Sequence, residues 1–382
     1  MGTGRNTPDR AVADGDQGGS GGQTLAGESG RGDAANLADH FRRLIASTGP
    51  ISLAQFMAES NAHYYTRSDP LGAAGDFVTA PEISQMFGEL IGLWLADIWQ
   101  RAGSPANVHY VELGPGRGTL ARDALRAMAA FGLRPGVHLV EGSPALRERQ
   151  ASLIPHAHFH DDLTSLPAHG PLLLVANEFF DALPVRQLAM TAQGWREVMV
   201  ACDDDGRFVP VPGSRPMDAA VPAERRAAPE GTLIETSPAA ASLMGEVARL
   251  VAAQGGAALV VDYGYTEPGH GPTLQAVRAH KHVDPLAVPG EADLSAHVDF
   301  AGLAEITRTQ GCRLLGTAEQ GAWLRALGID ARAAALTRTA PDRADEIATA
   351  RDRLVAPEQM GALFKVMGLA APDWPDGAGF QG

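Results

Sequence analysis

Apolar positions along this chain recur with two different periods, and the points where one gives way to the other mark its organisation. From Leu37 to Ile45 they fall at helical spacing, and Ser52 stands where it can cap a second helix running through Ala62. Glu82 to Trp99 predicts a longer helix, with Ile83, Met86, Phe87, Leu90, Ile91, Trp94 and Ile98 on one broad stripe. From residue 108 short apolar runs take over, at 108–112, 137–141, 156–160 and 171–176, with helical spacing at 119–130 and 144–151 between them. Strands alternating with helices predict a mostly parallel sheet covered on both faces. Past Leu183 the spacing changes again. Val185–Met190, Trp195–Val200 and Arg207–Val211 read as antiparallel strands, Ala239–Ala253 as a helix and Ala257–Asp262 as a buried strand. Further helices are predicted near Phe300–Gln310, Ala340–Arg353 and Gln359–Val366.

These shifts divide the chain. Residues 1–35 are rich in Gly, Asp and Ala, carry almost no large apolar side chain and are expected to be disordered. Residues 36–104 hold the N-terminal helices and a loop that the family resemblance given below implies covers a cofactor. Residues 105–184 form a binding core, 185–255 an antiparallel insertion with its helix, and 256–370 the rest of the core with a substrate-side elaboration. The last stretch, 371–382, with Pro372, Pro375 and three glycines, is expected to be a loose tail.

The first strand delivers the most informative chemistry. Val108-His-Tyr-Val-Glu-Leu-Gly-Pro-Gly-Arg-Gly-Thr-Leu120 runs from an apolar strand through an acidic residue into three alternating glycines and a helix. Glycines at a strand's carboxyl end let the backbone turn sharply and approach a ligand without Cβ obstruction. A dinucleotide fingerprint spaces its glycines G-x-G-x-x-G, whereas here Gly114, Gly116 and Gly118 are followed by Thr119, and Glu112 precedes them. A carboxylate where a pyrophosphate would lie is electrostatically wrong for NAD. It suits a cationic ligand such as S-adenosyl-L-methionine (SAM). The second strand ends in Glu141, placed to accept from ribose hydroxyls, and the third ends near Asp161 and Asp162, either of which could accept from an adenine amine.

The fourth strand, in Pro171-Leu-Leu-Leu-Val-Ala-Asn-Glu-Phe-Phe-Asp-Ala-Leu-Pro184, delivers Asn177, Glu178 and Asp181. Methyl transfer is an in-line displacement, so its demands are alignment and electrostatics. Two nearby carboxylates suit the planar fork of a guanidinium, which they match bidentately. No histidine lies at metal-ligand spacing to this loop, so no metal is expected.

Composition narrows the field. The formal net charge is −14 with no block of Lys or Arg, which works against nucleic-acid binding. No apolar run reaches membrane-spanning length, and no secretory signal is visible. Cys202 and Cys312 fit no metal or redox spacing, so a reducing, cytoplasmic setting is expected.

Several motifs together resemble one known family: Gly75-Asp-Phe-Val-Thr-Ala-Pro-Glu-Ile-Ser84, Phe87-Gly-Glu-Leu-Ile-Gly92, the Glu112–Leu120 turn, Asn177–Pro184, Thr273-Leu-Gln-Ala276, Gly290–Phe300 and Met360–Lys365. It is the SAM-dependent methyltransferase family of the mitochondrial complex I assembly factor, the MidA family, with many bacterial members. The resemblance covers about residues 37 to 370. It implies an α/β, class I methyltransferase fold, Rossmann-like with a seven-stranded mostly parallel sheet, here with an antiparallel insertion and helical additions. It implies SAM as cofactor and arginine methylation of a protein, a respiratory complex I subunit among the candidates. Carried onto this sequence, Gly114, Pro115, Gly116 and Gly118 would line the amino-acid portion of SAM near Glu112, and Glu141 would take the ribose. Asn177 would sit at the reacting centre, with Glu178 and Asp181 gripping the acceptor and Asp76, Thr79 and Pro81 folding over the cofactor. Thr79 and Glu82 could equally cap the following helix. The region Gln275 to Phe300 is rich in side chains that could titrate or bind, His280, His282, Asp293, His297 and Asp299, and a histidine among them could take a proton. A SAM-binding assembly chaperone and a small-molecule or nucleic-acid N-methyltransferase are the competing readings. The sequence leaves a homodimer open.

Overall fold

Strands of nearly unbroken apolar sequence set the centre of the molecule. The computed structural model describes residues 26–67, 79–267, 271–278 and 281–380. Seven strands follow one another across a central sheet: β1 (His109–Leu113), β2 (Gly136–Val140), β3 (Ala157–His160), β4 (Leu172–Asn177), β5 (Gly256–Tyr265), β6 (Arg313–Glu319) and β7 (Phe364–Ala370). Their spatial order is β6-β7-β5-β4-β1-β2-β3, and an eighth, two-residue strand at Val298–Asp299 pairs with the end of β5. β1 to β5 pair in parallel, and β7 runs against both of its neighbours. Leu172 to Val175 are fully buried, as a strand covered on both faces requires.

Helices flank this sheet: α1 (Ala26–Thr48), α2 (Leu53–Arg67), α3 (Ala80–Ile83), α4 (Gln85–Arg101), α5 (Thr119–Ala130), α6 (Pro144–Leu153), α7 (Pro238–Gln254), α8 (Phe300–Thr309), α9 (Gln320–Ala326), α10 (Ile329–Thr339) and α11 (Ala344–Val355). The main core joins α4, α5, α7 and α8 to the sheet. A second core, around Phe41, Phe56 and Phe208, joins the N-terminal helices to the antiparallel insertion. In that insertion Arg186–Thr191, Gly194–Cys202, Phe208–Pro216 and Leu233–Thr236 pair with Ile51–Ser52 into a five-stranded sheet. Ser52 accepts from the Gln55 amide at 3.1 Å, the cap expected for α2.

Four expectations need correction. The stretch 359–366 is not a helix: Pro357–Gly361 forms one wide turn and Phe364–Ala370 is a strand buried between β5 and β6. A short apolar run has the same appearance in a buried strand and a buried helix, and the open edge of β5 decides it. β6 itself was not anticipated. The helix expected from Glu82 is broken at Ser84, whose extended backbone lets its side chain cap α4 by accepting from Met86. The tail is docked rather than loose. Trp374 is buried, and the Phe380 ring lies so close over Gly368 that a Cβ there would sit 2.4 Å from it. Of the segment 1–35 expected to be disordered, residues 1–25 lie outside the described residues, while the backbone from Ala26 is helical. Asp76 and His280 also lie outside the described residues. Among the described residues no helix is long and apolar enough to cross a membrane.

Candidate active site

The carboxyl ends of β1, β2 and β4 open into a cavity of about 440 Å³. This is where an open α/β sheet with these crossovers places its ligand. The glycine turn after β1 forms one wall. Gly114, Gly116 and Gly118 have φ of +60°, +52° and +80°, a region that only glycine enters without strain. At Gly114 there is a second reason: a Cβ would lie 2.5 Å from the Phe179 ring. Gly114, Pro115 and Gly116 line the cavity, whereas Gly118 sits behind them as the N-cap of α5.

Four carboxylates face this space: Glu82, Glu112, Glu141 and Glu178. Burial pushes Glu112 up to about 7, against the hydrogen bond it accepts from the Tyr110 hydroxyl at 2.5 Å. Glu141 accepts from the Ser143 amide at 2.8 Å and from Gln150 Nε2 at 3.1 Å, and burial raises its pKa. The same Gln150 nitrogen donates to the Gly116 carbonyl at 2.6 Å, tying the glycine turn to Glu141. Glu82 accepts from Thr119 Oγ1 at 2.5 Å, and Arg117 approaches it at 3.9 Å.

β4 ends at Asn177 and runs into the loop that carries Glu178. Asn177 lines the cavity and donates to Glu178 Oε1 at 3.2 Å, while its own Oδ1 is buried without a hydrogen-bond partner. Glu178 has φ +49°, uncommon for a residue with a Cβ, and this turns it toward the cavity. Its Oε1 also accepts from the Ala80 amide at 3.1 Å, and burial pushes its pKa up to about 7. Thr79 and Pro81 line the wall as expected, but Thr79 makes no side-chain cap.

Asp181, Asp161 and Asp162, like Gly118, stand off the wall. Asp181 accepts from the Tyr263 hydroxyl at 2.5 Å, and burial raises it to about 6. Asp161 is exposed and paired with Arg147 at 2.5 Å, and Asp162 caps the turn Leu163–Ser165. His297 packs against the Tyr263 ring and Asp299 caps α8, so neither lines this cavity. Among the described residues no cluster of three or more His, Cys, Asp or Glu could hold a metal ion.

Sequence reasoning missed Asn61, Tyr65 and Asp262. From α2, Asn61 donates to the carbonyls of Ala182 (3.1 Å) and Leu294 (2.7 Å), and Tyr65 donates to Asp293 at 2.7 Å; both line the cavity. A polar residue inside an amphipathic helix gives no local hint of a partner over 200 positions away. Asp262 was legible: it ends an apolar strand as Glu112 and Glu141 nearly do. Its Oδ2 accepts from the amides of Phe179 (3.2 Å), Phe180 (3.0 Å) and Asp181 (3.2 Å). Burial, then Asp181 and Glu178, raise its pKa.

These residues fit SAM. The glycine turn gives a backbone close access, the carboxylates favour a cation, and Glu141 has the chemistry to take hydroxyl donors. The comparisons agree. Residues 90–318 match the model of an S-adenosyl-L-methionine-dependent methyltransferase family. The chain is 37% identical to the mitochondrial protein arginine methyltransferase NDUFAF7 homolog of Drosophila melanogaster, over 90% of this chain and 86% of that one. It is 36% identical to NDUFAF7 of Mus musculus, over 86% and 83%. A crystal structure from Burkholderia thailandensis bound to S-adenosyl-homocysteine superposes with a TM-score of 0.78 at 28% identity, over 93% of this chain and 95% of that one. The chain belongs to this family of S-adenosyl-L-methionine-dependent methyltransferases, and SAM is its cofactor.

Proposed function

We propose that the acceptor is an arginine side chain of a protein. The observation that carries the reading is Glu178: a half-buried carboxylate on the cavity wall, beside Asn177, Phe179 and Leu183, in a chain whose relatives are named protein arginine methyltransferases. SAM, when bound, supplies an electrophilic methyl group. Glu178 accepts hydrogen bonds from the guanidinium and draws its positive charge away from the attacking nitrogen. Its carboxylate, with a pKa of about 7, also receives the proton that the nitrogen loses as the N–CH₃ bond forms. Phe179, Leu146 and Leu183 exclude water, and Asn61 and Tyr65 close the cavity from α2. On the family resemblance, the acceptor protein is a subunit of respiratory complex I, and the cysteine usage favours a cytoplasmic reaction.

The test uses SAM carrying a labelled methyl group, cell lysate and peptide mapping. Label on arginine that vanishes with Glu178→Gln supports the reading. Label on nucleic acid, small molecules or another side chain overturns it. SAM binding without any transfer would instead leave a SAM-binding assembly chaperone.

A further inference from the structure

The β4–β5 ladder ends with Asn177 opposite Val261, and the Glu178 amide still donates to the Val261 carbonyl at 2.9 Å. Beyond it the chain leaves the sheet, and the amides of Phe179, Phe180 and Asp181 have no strand to receive them. All three converge on one oxygen of Asp262, and the other oxygen accepts from the Tyr263 amide at 2.9 Å. Asp262 is fully buried. A carboxylate is a costly group to bury, and an apolar residue would suit the strand's packing better.

We infer that Asp262 is a positioning residue for methyl transfer, holding the 178–181 loop so that Glu178 and Phe179 form one continuous wall with the glycine turn. Each end of the claim is visible. A residue at φ +49° relaxes unless its neighbours fix it, and the three gathered amides are what follow Glu178 in the chain. The Phe179 ring, set by the first of those amides, occupies the space a Cβ at Gly114 would need, so loop and glycine turn interlock. The next residue of β5 fastens the far end: the Tyr263 hydroxyl donates to Asp181, and the Ala296 amide donates to the Asp181 carbonyl at 2.9 Å. The loop is thereby held at both ends, and Asp262 grips its middle. The role is independent of which acceptor the enzyme uses.

The experiment compares the full-length protein with Asp262→Ala and Asp262→Asn by thermal melting and by calorimetric titration with S-adenosyl-homocysteine. Asparagine keeps an oxygen for the three amides. The expected result is affinity at least tenfold weaker in folded Asp262→Ala and within threefold of the parent in Asp262→Asn. A folded alanine variant that binds within twofold of the parent overturns the inference, because the amide cap would then serve stability alone. Hydrogen exchange on the unaltered protein decides the matter if the alanine variant does not fold. Exchange at the 179–181 amides should slow at least tenfold on binding S-adenosyl-homocysteine. Unchanged exchange there would show that the loop does not answer to the cofactor side, and would overturn the inference.

Discussion

At Gly114 two constraints meet in one residue. Its φ of +60° costs an L-residue about 1–2 kcal/mol, and the Phe179 ring fills the Cβ position. Gly114→Ala should therefore weaken S-adenosyl-homocysteine binding by at least about tenfold in calorimetry, and unaltered affinity would contradict the interlocked wall. Glu178 carries a different prediction. In the proposed reaction the ionised carboxylate would grip a guanidinium, and its pKa is pushed up to about 7, so turnover should rise as pH increases through about 7 and fall below it. In Glu178→Gln, turnover should drop about 10²–10³-fold with the rise through pH 7 abolished. A variant that keeps both rate and profile would remove Glu178 from the acceptor site. The wall residues Glu112, Glu141, Asn177 and Glu178 were legible because each stands at or near a strand's carboxyl end, where an apolar run meets an abrupt polar residue. Asp161 and Asp162 satisfied the same pattern, yet the first pairs with Arg147 and the second caps a turn. Position at a strand end does not reveal which way a carboxylate points.

Between strands, a row of histidines sets another property of the fold. His109 Nε2 donates to the His169 carbonyl at 3.1 Å, which leaves its Nδ1 to accept from His138 Nε2 at 3.0 Å. His138 Nδ1 then accepts from His160 Nε2 at 3.0 Å, and His160 Nδ1 from the Ser165 hydroxyl at 2.8 Å. The chain is satisfied only when all three rings are neutral. Burial first, then His109, His160 and the stacked His158, lower His138 to about 4. Burial also lowers His160, with His158 and Arg147 adding to it and Asp161 and Asp162 opposing. A histidine kept neutral in the fold takes up its proton on unfolding, so its contribution is present above about pH 6.5 and lost as pH falls toward 4. Denaturant midpoints measured from pH 7.5 down to 5 should fall more steeply in the parent than in His138→Leu, which should already be weaker at pH 7.5. Parallel slopes would show that the row does not titrate with folding. At this scale the sequence was most readable in the parallel half, where apolar runs of strand length alternate with helices. It failed at β6 and β7, because Phe364–Ala370 is covered on every side and so carries no period at all.

Over the whole molecule, the site is built from pieces that local patterning cannot join. α2 reaches the cavity through Asn61, whose partners are Ala182 and Leu294. Only the resemblance to a known family placed the 79–81 segment beside the glycine turn. The tail shows the same limit. Its Pro and Gly content suggested a loose end, yet Trp374 is buried, Phe380 packs edge-on against Trp94 and tilted against Trp323, and Trp94 Nε1 donates to the Ala378 carbonyl at 3.0 Å. Composition weighs glycine as flexibility, whereas here the glycines at 316 and 368 are the flat seat on which the aromatic ring rests. Deleting everything after Ala371 removes two packed aromatics, each worth about 3–5 kcal/mol by truncation, and uncovers Trp94 and Trp323. The melting temperature should fall by roughly 10 °C or more. The seat lies on β6 and β7, at the other side of the sheet from β1 and β2, so S-adenosyl-homocysteine affinity should stay within threefold at temperatures where the shortened chain is folded. A truncated protein that melts like the parent would show that the tail adds no stability. One that melts alike but loses the cofactor would mean that the tail acts on the cavity through the sheet rather than by closing its far edge.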